Sequence, residues 1–198
     1  SLGMATVSPD GQWLAWTEDV IGRGSHDLYI QNLRTRRLQP ERIRGVLEGF
    51  AWGADSRTLF YVRQDPVTLH SGAVWRHERG TDDSRDVLVH DEADKTLFVE
   101  VRASASRRYV LIDIHGTDTA ELRMVPADDA ARPAVVVFAR RNGVRVHADH
   151  LADRWVLRTN EGEPNFRLVE APEKNPDRRD TWRELVPARA DATLEGFG

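Results

Sequence analysis

The 198-residue sequence predicts an all-β chain: a β-propeller fragment of about four four-stranded antiparallel blades plus one extra inner strand. Three observations predict it. A tight turn between two apolar runs occurs four times, a third alternating run follows each hairpin at a nearly constant distance, and no apolar 3.6-residue period lasts three turns.

The turn is clearest in Ser8-Pro9-Asp10-Gly11, which leads into Trp13-Leu14-Ala15-Trp16. Pro9 presets φ at the second turn position, Asp10 tolerates the third, and Gly11 closes the turn. Weaker copies are Gly53-Ala54-Asp55-Ser56, Ser104-Ala105-Ser106-Arg107 and Leu151-Ala152-Asp153-Arg154. The strands that follow them begin at Leu14, Leu59, Val110 and Trp155, with spacings of 45, 51 and 45 residues. Third strands begin at Leu28, Val74, Leu122 and Phe166, with spacings of 46, 48 and 44. Fourth strands are legible at Asp86-Val87-Leu88-Val89-His90 and Ala134-Val135-Val136-Val137-Phe138, and more faintly at Arg37-Leu38-Gln39 and Arg183-Glu184-Leu185-Val186. Pro40-Glu41-Arg42-Ile43-Arg44-Gly45 reads as a connector with room for a helical turn. The repeat divides the chain into units 1–44, 45–93, 94–142 and 143–190, with 191–198 starting another. Innermost strands are expected near 3–8, 47–53, 97–103 and 144–150, in four consecutive four-stranded sheets. A period near 47 residues with four short strands is a propeller blade; the alternative is a β-sandwich with accidental self-similarity.

Composition narrows the function classes. Lys and Arg number 28 against 32 Asp and Glu, for a net charge of −4 with no long basic block, which argues against a nucleic-acid surface. The chain has no cysteine, so disulfides, thiolate-bound zinc and thiol nucleophiles are excluded, and a reducing compartment, by default the cytoplasm, is expected. Ser1-Leu2-Gly3-Met4-Ala5 lacks the features of an export signal, and no apolar run approaches ~18 residues, so no membrane span is expected.

The wording of the units goes beyond a generic propeller. Ala51-Trp52-Gly53-Ala54-Asp55 before Thr58-Leu59-Phe60-Tyr61, then Val74-Trp75-Arg76-His77, resembles the oligopeptidase B (protease II)-like branch of the prolyl oligopeptidase family. So do Thr159-Asn160-Glu161-Gly162, Asn165-Phe166-Arg167-Leu168-Val169, Trp182-Arg183-Glu184-Leu185-Val186-Pro187 and the final Leu194-Glu195-Gly196. The resemblance implies a seven-bladed parent propeller joined to an α/β-hydrolase domain with a Ser-Asp-His triad, cleaving short peptides after Lys or Arg. This chain departs from that pattern. None of Ser1, Ser8, Ser25, Ser56, Ser71, Ser84, Ser104 or Ser106 sits in a Gly-x-Ser-x-Gly elbow, so the chain is expected to be inactive alone, with no catalytic, cofactor-binding or metal-binding residues. Its expected role is to gate access of short basic peptides to a hydrolase domain outside this sequence; the alternative is a stand-alone interaction propeller.

Other candidate chemistry is weaker. His147 and His150 flank Asp149, but a strand running into a turn points them apart. Gly22-Arg23-Gly24 lacks the third glycine of a dinucleotide loop and reads as a flexible connection. Asp82-Asp83, Asp128-Asp129 and the Glu161/Glu163 spacing read as solvated turns, or as an acidic bias toward cationic peptides. Trp16, Trp52, Phe60 and Trp75 read as inter-blade core. The two end blades are expected to leave Leu14, Trp16, Leu28, Ile30, Val156, Phe166, Leu168, Val169, Leu194 and Phe197 near open faces, and so to favour self-association.

Overall fold

A computed structural model describes residues 1–20, 22, 24–68 and 70–197. It contains fifteen strands, every ladder antiparallel and every neighbour consecutive in sequence. One seven-stranded sheet holds β1 (Leu2–Val7), β2 (Trp13–Glu18), β3 (His26–Asn32), β4 (Ile43–Trp52), β5 (Thr58–Arg63), β6 (Ala73–Glu78) and β7 (Val87–Asp91). A four-stranded sheet follows with β8 (Phe98–Ala103), β9 (Tyr109–His115), β10 (Ala120–Pro126) and β11 (Val135–Phe138). The last holds β12 (Val146–Leu151), β13 (Arg154–Thr159), β14 (Arg167–Pro172) and β15 (Arg183–Val186). The all-β architecture is that of a partial β-propeller.

The expectation of four separate sheets is corrected by β4. Its first residues pair with β3, as Ile43 opposite Leu28, and its last pair with β5, as Trp52 opposite Leu59. Both ladders shift register, and Gly45 at the junction takes φ +68°. The connector read at Pro40 to Gly45 therefore becomes strand from Ile43, a residue fully buried. Burial of Ile43 and Val46 against the first two units favours extended backbone over the helical turn. The faint fourth strand at 37–39 is reduced to a single bridge between Gln31 and Leu38. Phe166, expected to open a third strand, precedes β14 with φ +63°. Its ring is instead covered by the guanidinium groups of Arg158 at 3.9 Å and Arg145 at 4.7 Å.

Three hydrophobic clusters sit at the seams between successive units. Ala15, Leu28 and Ile30 meet Phe50, Leu59 and Tyr61; Phe60, Val62 and Val74 meet Val99, Ile112 and Ile114; Leu111, Leu122 and Phe138 meet Ala148, Trp155 and Leu157. Strand period two explains the division: Leu59 and Tyr61 face backward along the chain while Phe60 and Val62 face forward. An inner unit is thus apolar on both faces, which is why β5 and β9 are continuous apolar runs rather than alternating ones.

The four hairpin turns share a left-handed position at Gly11, Ser56, Arg107 and Ala152, with φ of +72°, +56°, +58° and +53°. Only the first uses glycine, and nothing lies within 4 Å of the place a Cβ would take there. Gly11→Ala is expected to cost about 1 kcal/mol from backbone conformation alone, and Arg107→Gly to be neutral or to stabilise by up to about 1 kcal/mol. Urea midpoints of the two variants check this; equal losses in both would contradict it.

The end faces are less bare than composition implies. Leu28, Ile30 and Val169 are buried against a neighbouring unit, and Val156 and Phe166 are also buried. Leu14 and Trp16 are half-buried on the outer side of the first unit, where Trp16 stacks on Tyr29 at 5.5 Å; Trp16 is therefore not inter-unit core. Residues 191–197 form no strand beyond a bridge between Arg189 and Ala192, and Gly198 lies outside the described residues. That segment lies against the fourth unit: Leu194 N donates to Asn165 O at 3.0 Å, Arg158 Nε donates to Leu194 O at 2.6 Å, and the Phe197 ring is 5.7 Å from His147.

Candidate functional site at the inter-unit seams

Several polar contacts that bridge units do so across about one repeat. Asp10 N donates to Ser56 Oγ, 46 residues on, and Trp52 Nε1 donates to Thr6 O, 46 residues back. Arg140 Nη2 donates to Glu92 Oε2, 48 residues away, at 2.5 Å. Arg102 on β8 is the fullest case. Its Nε donates to Asp113 at 2.8 Å, its Nη1 to Asp149, 47 residues on, at 3.1 Å, and its Nη2 to Ala148 O at 2.6 Å. A planar guanidinium with several fixed donors suits this combination of two carboxylates and a carbonyl.

Next to it lies a serine, histidine and glutamate arrangement that sequence reading missed. Ser106 Oγ is 2.8 Å from His150 Nδ1, and His150 Nε2 is 3.6 Å from Glu173 Oε1. The outline is that of nucleophile, base and orienting acid, but the surroundings are wrong for acyl transfer. His150 is fully buried, wedged edge-on to Tyr109 at 4.9 Å and Trp155 at 5.0 Å. Glu173 is held by Arg108 at 2.6 Å and by the Tyr109 hydroxyl at 3.3 Å. The N–H groups of Ala105, Ser106 and Arg107 already donate to Asp149, His150 O and Ser104 O, so none is free to stabilise an oxyanion. The set fastens the turn of the third unit to the inner strand of the fourth. Its sequence signal was the 44-residue separation of Ser106 and His150, close to one repeat.

A second buried network lies within the second unit. Asp86 accepts from Tyr61 Oη at 2.7 Å and from His77 Nδ1 at 2.7 Å, with all three side chains buried. Burial, then the Asp86 carboxylate, pushes the Tyr61 pKa well above its usual range.

The candidates from sequence are dispersed. His147 and His150 point apart, His147 toward Phe197 and His150 toward Ser106. Gly22 N and Gly24 N donate to the Asp19 carboxylate at 2.6 and 2.7 Å; Arg23 between them lies outside the described residues. Asp82 caps a 3-10 turn through Ser84 N, Asp83 pairs with Arg63 at 3.0 Å, Asp129 pairs with Arg132 at 3.4 Å, and Glu161 pairs with Arg141 and Arg179. Among the described residues Asp82, Asp128 and Glu163 of these six are without an ion pair. The Asp pairs follow third strands and the Glu pair follows a second strand, so in an antiparallel meander they lie at opposite ends of the sheets. Trp52 and Phe60 are seam core, and Trp75 packs against the first seam.

Several openings lie along the inner strands, among them one of about 590 Å³ lined by Met4, His26, Leu47, Glu48, Glu100 and Val101. A groove of about 380 Å³ is lined by Met4, Thr6, Phe50, Trp52, Ala103 and Tyr109. A cleft of about 340 Å³ between the third and fourth units carries Glu100, Arg102, Asp113, His115, His147 and Arg158. There Glu100, 3.7 Å from His115, holds that imidazole's pKa up, while burial and the Arg102 charge hold His147's down.

Burial also lowers the pKa values of His90 and His150. For these three lowered imidazoles the unfolded chain binds more protons, so their contribution to stability is complete above the unfolded value of about 6.5 and is lost as pH falls below it. His115 acts oppositely: its contribution is present below that value and lost as pH rises through its folded pKa. Thermal melts between about pH 7 and pH 5 are expected to fall with acidification, and His150→Gln to flatten the fall. An unchanged slope in that variant would contradict the assignment.

Comparison with known proteins places this architecture. Residues 1–198 match the family description "Prolyl oligopeptidase, N-terminal beta-propeller domain". The chain is 38% identical to dipeptidyl aminopeptidase BI of Pseudoxanthomonas mexicana, over 100% of this chain and 27% of that protein. It is 28% identical to protease 2 of Moraxella lacunata, over 87% of this chain and 25% of that one. Oligopeptidase B from Leishmania major superposes with a TM-score of 0.88 at 25% identity, covering 96% of this chain and 27% of that structure. The chain therefore spans about a quarter of the length of these relatives. With blade-like units stapled seam by seam and a family match running from its first residue to its last, the chain belongs to the prolyl oligopeptidase family as part of its N-terminal β-propeller.

Proposed function

We propose that this chain is the non-catalytic propeller portion of an oligopeptidase B-like serine peptidase, capping an α/β-hydrolase domain elsewhere in the same polypeptide and admitting short, basic peptides. The observation that carries the reading is a repeated hydrogen-bond register. Val99 N, at the start of the inner strand of the third unit, donates to Ser71 O, two residues before β6. Leu194 N donates to Asn165 O, two residues before β14. Residues 191–197 thus relate to unit 143–190 as unit 94–142 relates to unit 45–93, which supports continuation into further blades and a closed wheel. A wheel over an active site leaves narrow paths, so folded proteins are excluded. The Ser106, His150 and Glu173 set, lacking oxyanion donors, supports a non-catalytic role. The cysteine-free composition supports a cytoplasmic setting.

The test compares this chain, the full-length protein and a version lacking residues 1–198, using fluorogenic Lys or Arg peptides and a folded protein substrate. The isolated chain is expected to release no more than buffer, and the full-length protein to cleave only the peptides. Turnover by the isolated chain that disappears with Ser106→Ala would overturn the non-catalytic reading. An active truncated enzyme that still excludes folded substrates would overturn the gating role. Self-association of the isolated chain, through the half-buried Leu14 and Trp16 face, is a further part of the proposal. Light scattering showing only monomer at micromolar concentration contradicts it.

A further inference from the structure

Five asparagines occur in the chain, and four are chemically held. Asn32 Oδ1 accepts from Arg34 N at 3.1 Å and Thr35 N at 2.9 Å. Asn160 Oδ1 accepts from Arg145 N at 2.7 Å while its Nδ2 donates to Gly143 O at 3.0 Å. Asn165 Nδ2 donates to Arg189 O at 2.7 Å. Asn175 precedes Pro176, which has no N–H to react.

Asn142 differs on every count. It is exposed, its side-chain amide makes no hydrogen bond among the described residues, and it precedes Gly143. The two occupy the centre of a turn closed by Val144 N donating to Arg141 O at 3.2 Å, with Gly143 at φ +72°. Gly143 N donates no hydrogen bond among the described residues, and nothing lies within 4 Å of where a Cβ would stand on Gly143. An unencumbered nucleophile is therefore adjacent to an unencumbered carboxamide.

We propose that Asn142 is a site of spontaneous deamidation, and that its conversion loosens the segment by which the chain enters β12, the inner strand of the fourth unit. Gly143 N loses its proton and attacks Asn142 Cγ; the Cγ–Nδ2 bond breaks, ammonia leaves carrying that proton, and a succinimide remains. Water then opens the ring. Opening at Cγ yields aspartate, and opening at the main-chain carbonyl yields isoaspartate, with one extra methylene in the backbone. Only water is consumed. The new carboxylate lies three residues before Arg145, whose guanidinium rests on Phe166 and has no ion pair among the described residues. In the isoaspartate form the lengthened backbone draws Gly143 O away from Asn160 Nδ2, removing one of the two side-chain bonds by which Asn160 holds the segment entering β12.

The experiment holds the purified chain in mildly alkaline buffer, follows conversion by peptide mapping, and detects isoaspartate by enzymatic methylation. Conversion at Asn142 is expected to run an order of magnitude faster than at Asn32, Asn160 or Asn165, and methylation is expected to be absent in Asn142→Ser. Equal rates at the other asparagines, or an intact Asn142 in folded chain that converts readily once unfolded in urea, would overturn the site. The aged chain is expected to melt below fresh chain, whereas aged Asn142→Ser keeps its melting temperature. Identical melting of fresh and fully converted chain would overturn the loosening.

Discussion

Trp155→Ala is expected to destabilise the chain by about 3–5 kcal/mol, the range for truncating a buried tryptophan, out of a total of about 5–15 kcal/mol for a domain. Trp155 is 1% exposed and sits where the third and fourth units meet. Its indole stacks on Tyr109 at 5.7 Å and lies edge-on to Phe138 at 6.0 Å and His150 at 5.0 Å. Truncation therefore removes apolar contact on both sides of the seam and opens a cavity beside His150, whose Nε2 has no hydrogen bond among the described residues. Rigid sheets collapse poorly around such a cavity. Equilibrium urea unfolding reads the loss as a lower midpoint; a change under about 1 kcal/mol would mean that the seam does not contribute as its burial implies. Phe138→Ala is expected to weaken the same seam, and the two losses are not additive because the rings touch.

Asp86→Ala is expected to cost about 3–5 kcal/mol for a different reason, the stranding of buried polar partners. Asp86 accepts from Tyr61 Oη and His77 Nδ1 in a region closed to water, so alanine leaves two buried donors unpaired. Asp86→Asn keeps one acceptor oxygen and is expected to lose about half as much. Tyr61→Phe removes donor and demand together, and is expected to cost only about 1 kcal/mol. The order of the three midpoints is the decisive readout. Should Asp86→Ala cost no more than Tyr61→Phe, the network would be incidental to stability.

Strand identity and order were written in the sequence because strand alternation and turn chemistry are local. Ser8-Pro9-Asp10-Gly11 needs no partner to form its turn, and the run from Leu59 to Val62 announces two buried faces before any neighbour is known. The repeat near 47 residues also carried the seams in latent form, since Arg102 with Asp149 and Ser106 with His150 span close to one period. Tertiary structure decided the rest. Whether Ile43 continues as strand or turns into helix depends on Leu28 beside it and on the burial of Val46, both set by how two units meet. Whether Ser106 and His150 are a catalytic pair or a fastening depends on burial and on where three backbone N–H groups already point. The fates of Phe166 and Leu194 likewise depend on arginines and carbonyls supplied by other strands. Pattern specifies what a residue prefers locally; only the packed seams determine which distant group satisfies it.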